Sequence, residues 1–345
     1  MLKAAPWLMI GVLIVPVLAG LFAIVPPAFG YLPALQQTEP GLAVWADLFN
    51  TPGIARSAML SLAAGLLTPL LSLMLVLLFL ASVSGTRWAP AMRRLVAPLL
   101  AVPHAAAAFG LAFLIAPSGF ALRLVSPELS GWQRPPDLLI LNDPLGLTMM
   151  LGLVLKEIPF LLLMALAALP QLNPDQRVAM ARTLGYRPTL AWLWTVAPPL
   201  YPLLRLPLFA VIAFASATVD VALILGPTLP PTLSVRIIGW FSDPDLNQRL
   251  LASAAALLQL IITLSAIGLW IGAEKIIGRL YHRLLLRGIR QTGHVLLNVT
   301  GRSLLVITLG SLLLSLLLLV VHAFAGPWRF PANLPGAWTT QHWQS

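Results

Sequence analysis

Long stretches free of acidic and basic side chains dominate the chain. Residues 4–38, 57–86, 95–122, 250–273 and 303–328 contain no Asp, Glu, Lys or Arg. Two further apolar stretches hold embedded charges: 144–174 with Lys156 and Glu157, and 206–235 with Asp220. A hydrocarbon core about 30 Å thick is crossed by roughly 20 apolar residues wound as α-helix. The pattern therefore predicts seven spans, near 7–29, 58–81, 95–116, 145–169, 203–225, 251–273 and 303–325. The fold class is all-α, a polytopic membrane helical bundle. Prolines fall inside many of these spans, among them Pro16, Pro69, Pro103, Pro159 and Pro207. Membrane helices tolerate them because neighbouring helices and local backbone adjustment satisfy the freed carbonyls. The first run opens Met1-Leu2-Lys3 but is far longer than the h-region of a signal peptide, and no convincing cleavage site ends it. It reads as an uncleaved anchor helix.

Composition agrees with the pattern. Of 345 residues, 59% are hydrophobic and 9% charged, against about 25% charged in soluble domains. An ordinary soluble protein and a disordered chain are both excluded. The absence of cysteine excludes disulfide frameworks, cysteine zinc sites and iron–sulfur clusters. The net charge of +10 is not gathered on one solvated face, so it does not point to nucleic acid. It lies in short clusters between spans. With Lys3 placed in the cytoplasm, the inner loops hold Arg87, Arg93, Arg94, Arg177, Arg182, Arg187, Arg205, Lys275, Arg279, Arg283, Arg287, Arg290 and Arg302. The outer loops hold only Arg56, Arg123, Arg134, Arg236, Arg249 and Arg329. Positive residues favour the cytoplasmic side, which puts the N-terminus in and the C-terminus out.

The segment between the fourth and fifth spans carries a pattern. Asn173-Pro174 is a helix start, a capping residue before Pro at the first helical position. Val178, Ala181, Arg182 and Leu184 follow at helical spacing, and Gly185 is placed to end the helix in a left-handed conformation. A second short helix starts near Pro188 and runs into Pro198. Small Ala179, Ala181 and Gly185 permit close approach of a partner, while Arg182 and Arg187 are available to its carboxylates.

This loop, Ala179-Met180-Ala181-Arg182-Thr-Leu-Gly185 and then Pro198, resembles the "EAA" loop of binding-protein-dependent ABC importer permeases. The flanks are similar too: Ile158-Pro159-Phe160 upstream, and Ser216-Ala-Thr-Val-Asp220 through Gly226-Pro227 downstream. They look like the sulfate, iron and thiamine branch of type I importers, over about residues 56–275. The resemblance implies a six-span type I ABC permease module, here with a seventh span. It also implies three kinds of partner: a cytoplasmic ABC ATPase subunit, a periplasmic substrate-binding protein and a second permease half, fused, homologous or identical. In that family the loop is a coupling helix that docks in a groove of the ATPase, and the spans rock between inward- and outward-facing states. The chain departs from the pattern at the motif glutamate, which is Ala179 here, at Met180, and at Thr195 in place of isoleucine.

Lys156, Glu157 and Asp220 lie within predicted spans, where a central charge costs about 2.5–3.5 kcal/mol and needs a partner or water. As helix neighbours, Lys156 and Glu157 point about 100° apart. Pairs Lys156–Asp220 and Glu157–Arg205 are both available, as structural ties or as parts of a pathway. His104, after Pro103, reads as a packed, hydrogen-bonded histidine rather than a ligand.

No enzyme signature or cofactor site stands out. No lysine follows a glycine, so a Walker A loop is missing, as are His-Glu-x-x-His and Gly-x-Ser-x-Gly. The rival to an importer permease is an ion-coupled secondary transporter or channel using Lys156, Glu157 and Asp220; a membrane scaffold is a third reading. The expected layout is an N-terminal span and periplasmic loop over 1–55, the permease core over 56–275, a basic cytoplasmic linker over 276–302, and a seventh span with outer tail over 303–345. Pro335-Gly336 before Trp338 echoes Pro40-Gly41 before Trp45. The echo suggests that the seventh span starts a second module, cut short here.

Overall fold

In hydrocarbon every backbone N–H and C=O must be satisfied inside the protein, and a helix does this within one segment. The computed structural model describes residues 5–86, 94, 96–287 and 294–343. Its long helices are α1 (Ala5–Ala28), α3 (Ile54–Val83), α4 (His104–Ile115), α6 (Leu147–Ala168), α9 (Ala197–Ala217), α12 (Gln248–Leu286) and α13 (His294–Phe324). Shorter helices join them: α2 (Ala43–Asn50), α5 (Phe120–Leu124), α7 (Pro174–Thr183), α8 (Pro188–Thr195), α10 (Asp220–Leu225) and α11 (Leu233–Phe241). Among the described residues, seven helical segments are long and apolar enough to cross a membrane, the third of them running from His104 to Leu124. The protein is an all-α multi-pass membrane bundle. Lys3, Arg87, Arg93 and Arg290, used above to orient it, lie outside the described residues.

Two predicted spans are broken. The span expected over 95–116 is helical at 96–100, turns at 101–103 and resumes as α4. Pro103 precedes α4 with an extended backbone, φ −59° and ψ 146°; it lacks an N–H and disfavours helix at Val102. The span expected over 203–225 ends at Ala217. Thr218 is extended, with φ −62° and ψ 138°, and Asp220 starts the separate helix α10. The sixth span runs long instead. The 39 residues of α12 reach about 58 Å at 1.5 Å per residue, well beyond a bilayer. The first part of the expected basic linker is therefore helical through Leu286 and continuous with that span.

Small residues set the helix crossings, as they do where lipid offers no hydrophobic drive. A Cβ on Gly65 of α3 would lie 2.8 Å from Ser216 Cβ of α9. One on Gly110 of α4 would run into the Ser315 carbonyl oxygen of α13, and one on Gly301 of α13 would meet Ser82 of α3 at 2.8 Å. The seventh span thus packs on α3 and α4. Between α3, α6 and α9 sits the main core, with Phe79, Ile158, Leu161, Leu162, Leu200, Leu204, Leu208 and Ile212 fully buried. α1 packs along α12, and many of its side chains, Leu8, Val12, Val15 and Phe22 among them, stay exposed. This suits a helix facing lipid or another subunit.

At the bundle end opposite the α7–α8 loop, Asp143 caps α6 by accepting from the N–H groups of Leu147 (2.8 Å) and Thr148 (2.9 Å). Arg123, an outer-loop charge by sequence, is buried. Its guanidinium donates to the carbonyls of Ser118 (2.8 Å), Ala332 (2.9 Å), Arg329 (3.1 Å) and Trp328 (3.2 Å), tying the tail after α13 to the turn before α5. The two Pro-Gly tails fold differently. Trp45 lies in α2 between Phe29 and Phe49, each ring 6.0 Å away, whereas Trp338 pairs by its backbone with Ala325.

Candidate functional site

Two features stand apart from general packing: the α7–α8 loop, and the charges at the middle of α6. The loop begins after a short 3-10 turn, Leu169–Leu172. Pro174 takes the first helical position of α7 as expected. Asn173, expected to cap with its side chain, instead holds a left-handed backbone, φ 47°, and makes no capping hydrogen bond to the helix. Its carbonyl still receives the Arg177 N–H at 3.3 Å. At the other end the sequence reading holds. Gly185 has φ +89°, the Tyr186 N–H reaches the Ala181 carbonyl at 3.2 Å, and the Gly185 N–H reaches that of Arg182 at 3.0 Å. This is a Schellman closure, and a Cβ at the left-handed position would cost about 1–2 kcal/mol.

The loop has a buried side and an exposed side. Helix α8 presses Leu190, Ala191 and Trp192 into the core, with Trp192 only 1% exposed. There Trp192 joins the cluster of Phe79, Leu80 and Val83 from α3 and Leu169. The Tyr281 hydroxyl of α12 donates to the Trp194 carbonyl at 2.6 Å and pins the far end of α8. Pro198 then falls in the first turn of α9, and the Thr195 hydroxyl folds back onto the Ala191 carbonyl at 2.7 Å. On α7 only Ala181 is buried. Ala179, Arg182, Gly185 and Arg187 are exposed, as are Met180 at 65% and Leu184 at 62%. Met180 on α7 and Leu184 at its C-cap, four residues apart, are exposed apolar side chains that make a knob on this loop, flanked in sequence by Arg177, Arg182 and Arg187. The apolar knob is a feature that sequence reasoning missed, although its i, i+4 spacing was legible.

The intramembrane charges do not pair as anticipated. Lys156, 4% exposed, and Glu157, 5% exposed, sit midway along α6. Lys156 Nζ donates to the carbonyls of Leu99 (3.0 Å) and Leu100 (3.1 Å), the last helical residues before the break in the third span. Glu157 Oε1 lies 3.2 Å from Nε2 of His104, the first residue after the break. Neither Lys156–Asp220 nor Glu157–Arg205 forms. Asp220 lies beyond the end of α9, is exposed, and accepts from the Thr218 hydroxyl at 3.0 Å, an ordinary helix start. Arg205 faces α12 and pairs with Glu274 at 2.9 Å. Glu274 also accepts from the Tyr201 hydroxyl at 2.5 Å, and the Trp270 indole donates to that hydroxyl at 2.8 Å. The signal for this tie was present in the sequence: Tyr201 and Arg205 are four apart on one helix, Trp270 and Glu274 four apart on another. His104 is packed and hydrogen-bonded as expected, with its ring 4.5 Å from that of Phe214. A cavity of about 240 Å³ opens beside the pair, lined by Leu100, His104, Lys156, Glu157, Phe160, Ala210, Val211 and Phe214.

The chain is similar to a known permease. Over 258 residues it is 28% identical to the inner membrane ABC transporter permease protein YnjC of Escherichia coli (strain K12), a stretch covering 74% of this chain and 46% of that protein. The chain thus spans about half the length of the curated relative it matches. No protein-family model matches it. The likeness supports an ABC transporter permease and does not single out a branch of that family.

Proposed function

We propose that the chain is a transmembrane permease subunit of an ATP-binding cassette importer in the bacterial inner membrane, with its N-terminus in the cytoplasm. A separate cytoplasmic ATPase docks on the α7–α8 loop. A periplasmic binding protein delivers a small solute to the opposite face, and a second permease half completes the pathway. The carrying observation is the loop itself: a helix closed by Gly185 displays Met180 and Leu184 within a group of arginines, on a base fixed in the core by Trp192. An apolar knob with a basic surround fits a groove with an apolar floor and acidic edge. With Ala179 at the motif glutamate, the knob and the arginines carry the contact. Similarity to the Escherichia coli permease supports the reading. The fusion of two modules in one chain is part of the proposal and takes its support from the length of that relative, not from the two tails, which fold differently.

Because the protein has no cysteine, Met180→Cys supplies a unique thiol. Co-expressed with its ATPase, this variant should cross-link to that subunit, with the yield changing on ATP addition. Absence of any cross-link from both Met180→Cys and Leu184→Cys would remove the assignment. The ion-coupled alternative keeps support from Lys156 and Glu157 at mid-span but loses Asp220, which is exposed and locally bonded. Uptake driven by a proton gradient without ATP would favour it.

A further inference from the structure

The third span is not one continuous helix: it breaks at 101–103, and α4 reaches Leu124 only through a turn at 116–119 and the short helix α5. The 12 residues of α4 reach about 18 Å, against a hydrocarbon core of about 30 Å. Its partner segment, 96–100, ends where α4 has not begun, so a helix C-terminus and a helix N-terminus face each other within the bundle. Such ends expose carbonyls and N–H groups that water cannot reach in hydrocarbon. Two sequence neighbours on α6 reach the two sides of the break. The Lys156 ammonium, a cation, bonds the last carbonyls of the first segment, where the helix dipole is negative. Glu157 Oε1 lies 3.2 Å from the ring Nε2 of His104, the first residue of the second segment, and so holds that helix by a side chain.

The surroundings are built to bend. Pro159 follows Glu157 by two residues and cannot donate to the Leu155 carbonyl, and Pro207 interrupts α9 across the cavity. The cavity is bounded by the break, by α6 and by α9, and Pro159 and Pro207 lie in those two helices within three residues of its lining.

We propose that the break at 101–103 is a gate on the solute pathway and that Lys156 and Glu157 form its latch, one holding the segment before the break and the other the helix after it. Releasing the long lysine side chain frees segment 96–100 to swing and opens the cavity through the middle of the bundle. Lys156 and Glu157 are positioning residues in this scheme. The inference rests on the permease reading for the identity of the pathway, and its test requires no ATPase.

The test places a single thiol in the cavity wall with Ala210→Cys in the full chain, reconstituted in nanodiscs, and measures its labelling by a small, charged, membrane-impermeant methanethiosulfonate. Adding Lys156→Met should speed labelling about tenfold, the effect of shifting a closed gate toward open. Glu157→Gln should do so to a lesser degree, and Lys156→Arg, which keeps the cation, should stay near the parent rate. Spin labels at Ala97→Cys and Ala210→Cys should show a broadened distance in Lys156→Met alone. A thiol at the buried Ala254→Cys reports intact folding by remaining unlabelled. If Lys156→Met does not fold, the charge-neutral double variant Lys156→Met/Glu157→Gln replaces it. Equal labelling and distances in all variants would overturn the latch. That result beside an intact ATPase cross-link at Met180→Cys would leave the importer reading standing, whereas a working latch without the cross-link would remove the importer reading and keep the gate.

Discussion

Removing the lysine of the Lys156–Glu157 pair should cost more than removing both charges. In Lys156→Met the carbonyls of Leu99 and Leu100 lose donors at 3.0 and 3.1 Å, each such bond to a charged group being worth about 1.5–3 kcal/mol. The Glu157 carboxylate then stays buried with only the neighbouring His104 imidazole as partner. Breaking a buried charge pair from one side typically costs about 3–5 kcal/mol, and we expect Lys156→Met to fall there. Glu157→Gln keeps an amide oxygen for the histidine N–H and leaves Lys156 on its two carbonyls, so about 1–2 kcal/mol is expected, the loss of one charge-assisted bond. The double variant should be less destabilised than the sum, with an interaction term of about 1–3 kcal/mol. Equilibrium unfolding in mixed detergent micelles, followed by tryptophan fluorescence, measures all four states. Additivity within about 0.5 kcal/mol, or a neutral Lys156→Met, would refute the electrostatic account of the break.

Other expectations concern the loop and the crossings. Gly185→Val forces a β-branched residue to φ +89° at a cost of about 1–2 kcal/mol; thermal melting should change little while ATP-dependent uptake is lost. Arg182→Glu places like charge against an acidic groove edge, which costs several kcal/mol, so ATPase co-purification should fail with membrane insertion intact. Gly110→Val pushes a side chain into the Ser315 backbone, where even a Cβ has no room. The seventh span should loosen by about 1–3 kcal/mol, seen as earlier proteolysis between α12 and α13.

The membrane bundle was legible because charge-free length is a strong signal, and each of the seven spans corresponds to helix in the structure. Gly185 was legible for a local reason: a helical repeat that stops at glycine needs little tertiary context. The breaks were not. Charge-free length ran through Pro103 and Thr218 alike, and proline in a membrane helix signals either a kink or a stop. The pairing errors followed from that. With 203–225 taken as one helix, Asp220 seemed deep in the bundle and near Lys156; the stop at Ala217 removes it. Partners of Lys156 were sought among acids, yet they are backbone carbonyls, which exist only because the third span breaks. Arg123 was hidden likewise, since three of its four acceptors belong to a tail some two hundred residues away.

Sidedness of α7 tests the central claim most directly. A single thiol at Leu184→Cys, on an exposed residue of a chain without native cysteine, can be challenged with a membrane-impermeant maleimide. Rapid labelling in inside-out vesicles and protection in right-side-out vesicles are predicted, with protection of the inside-out thiol once the ATPase subunit is bound. Labelling from the periplasmic side would place the loop beyond reach of any cytoplasmic ATPase and contradict the account.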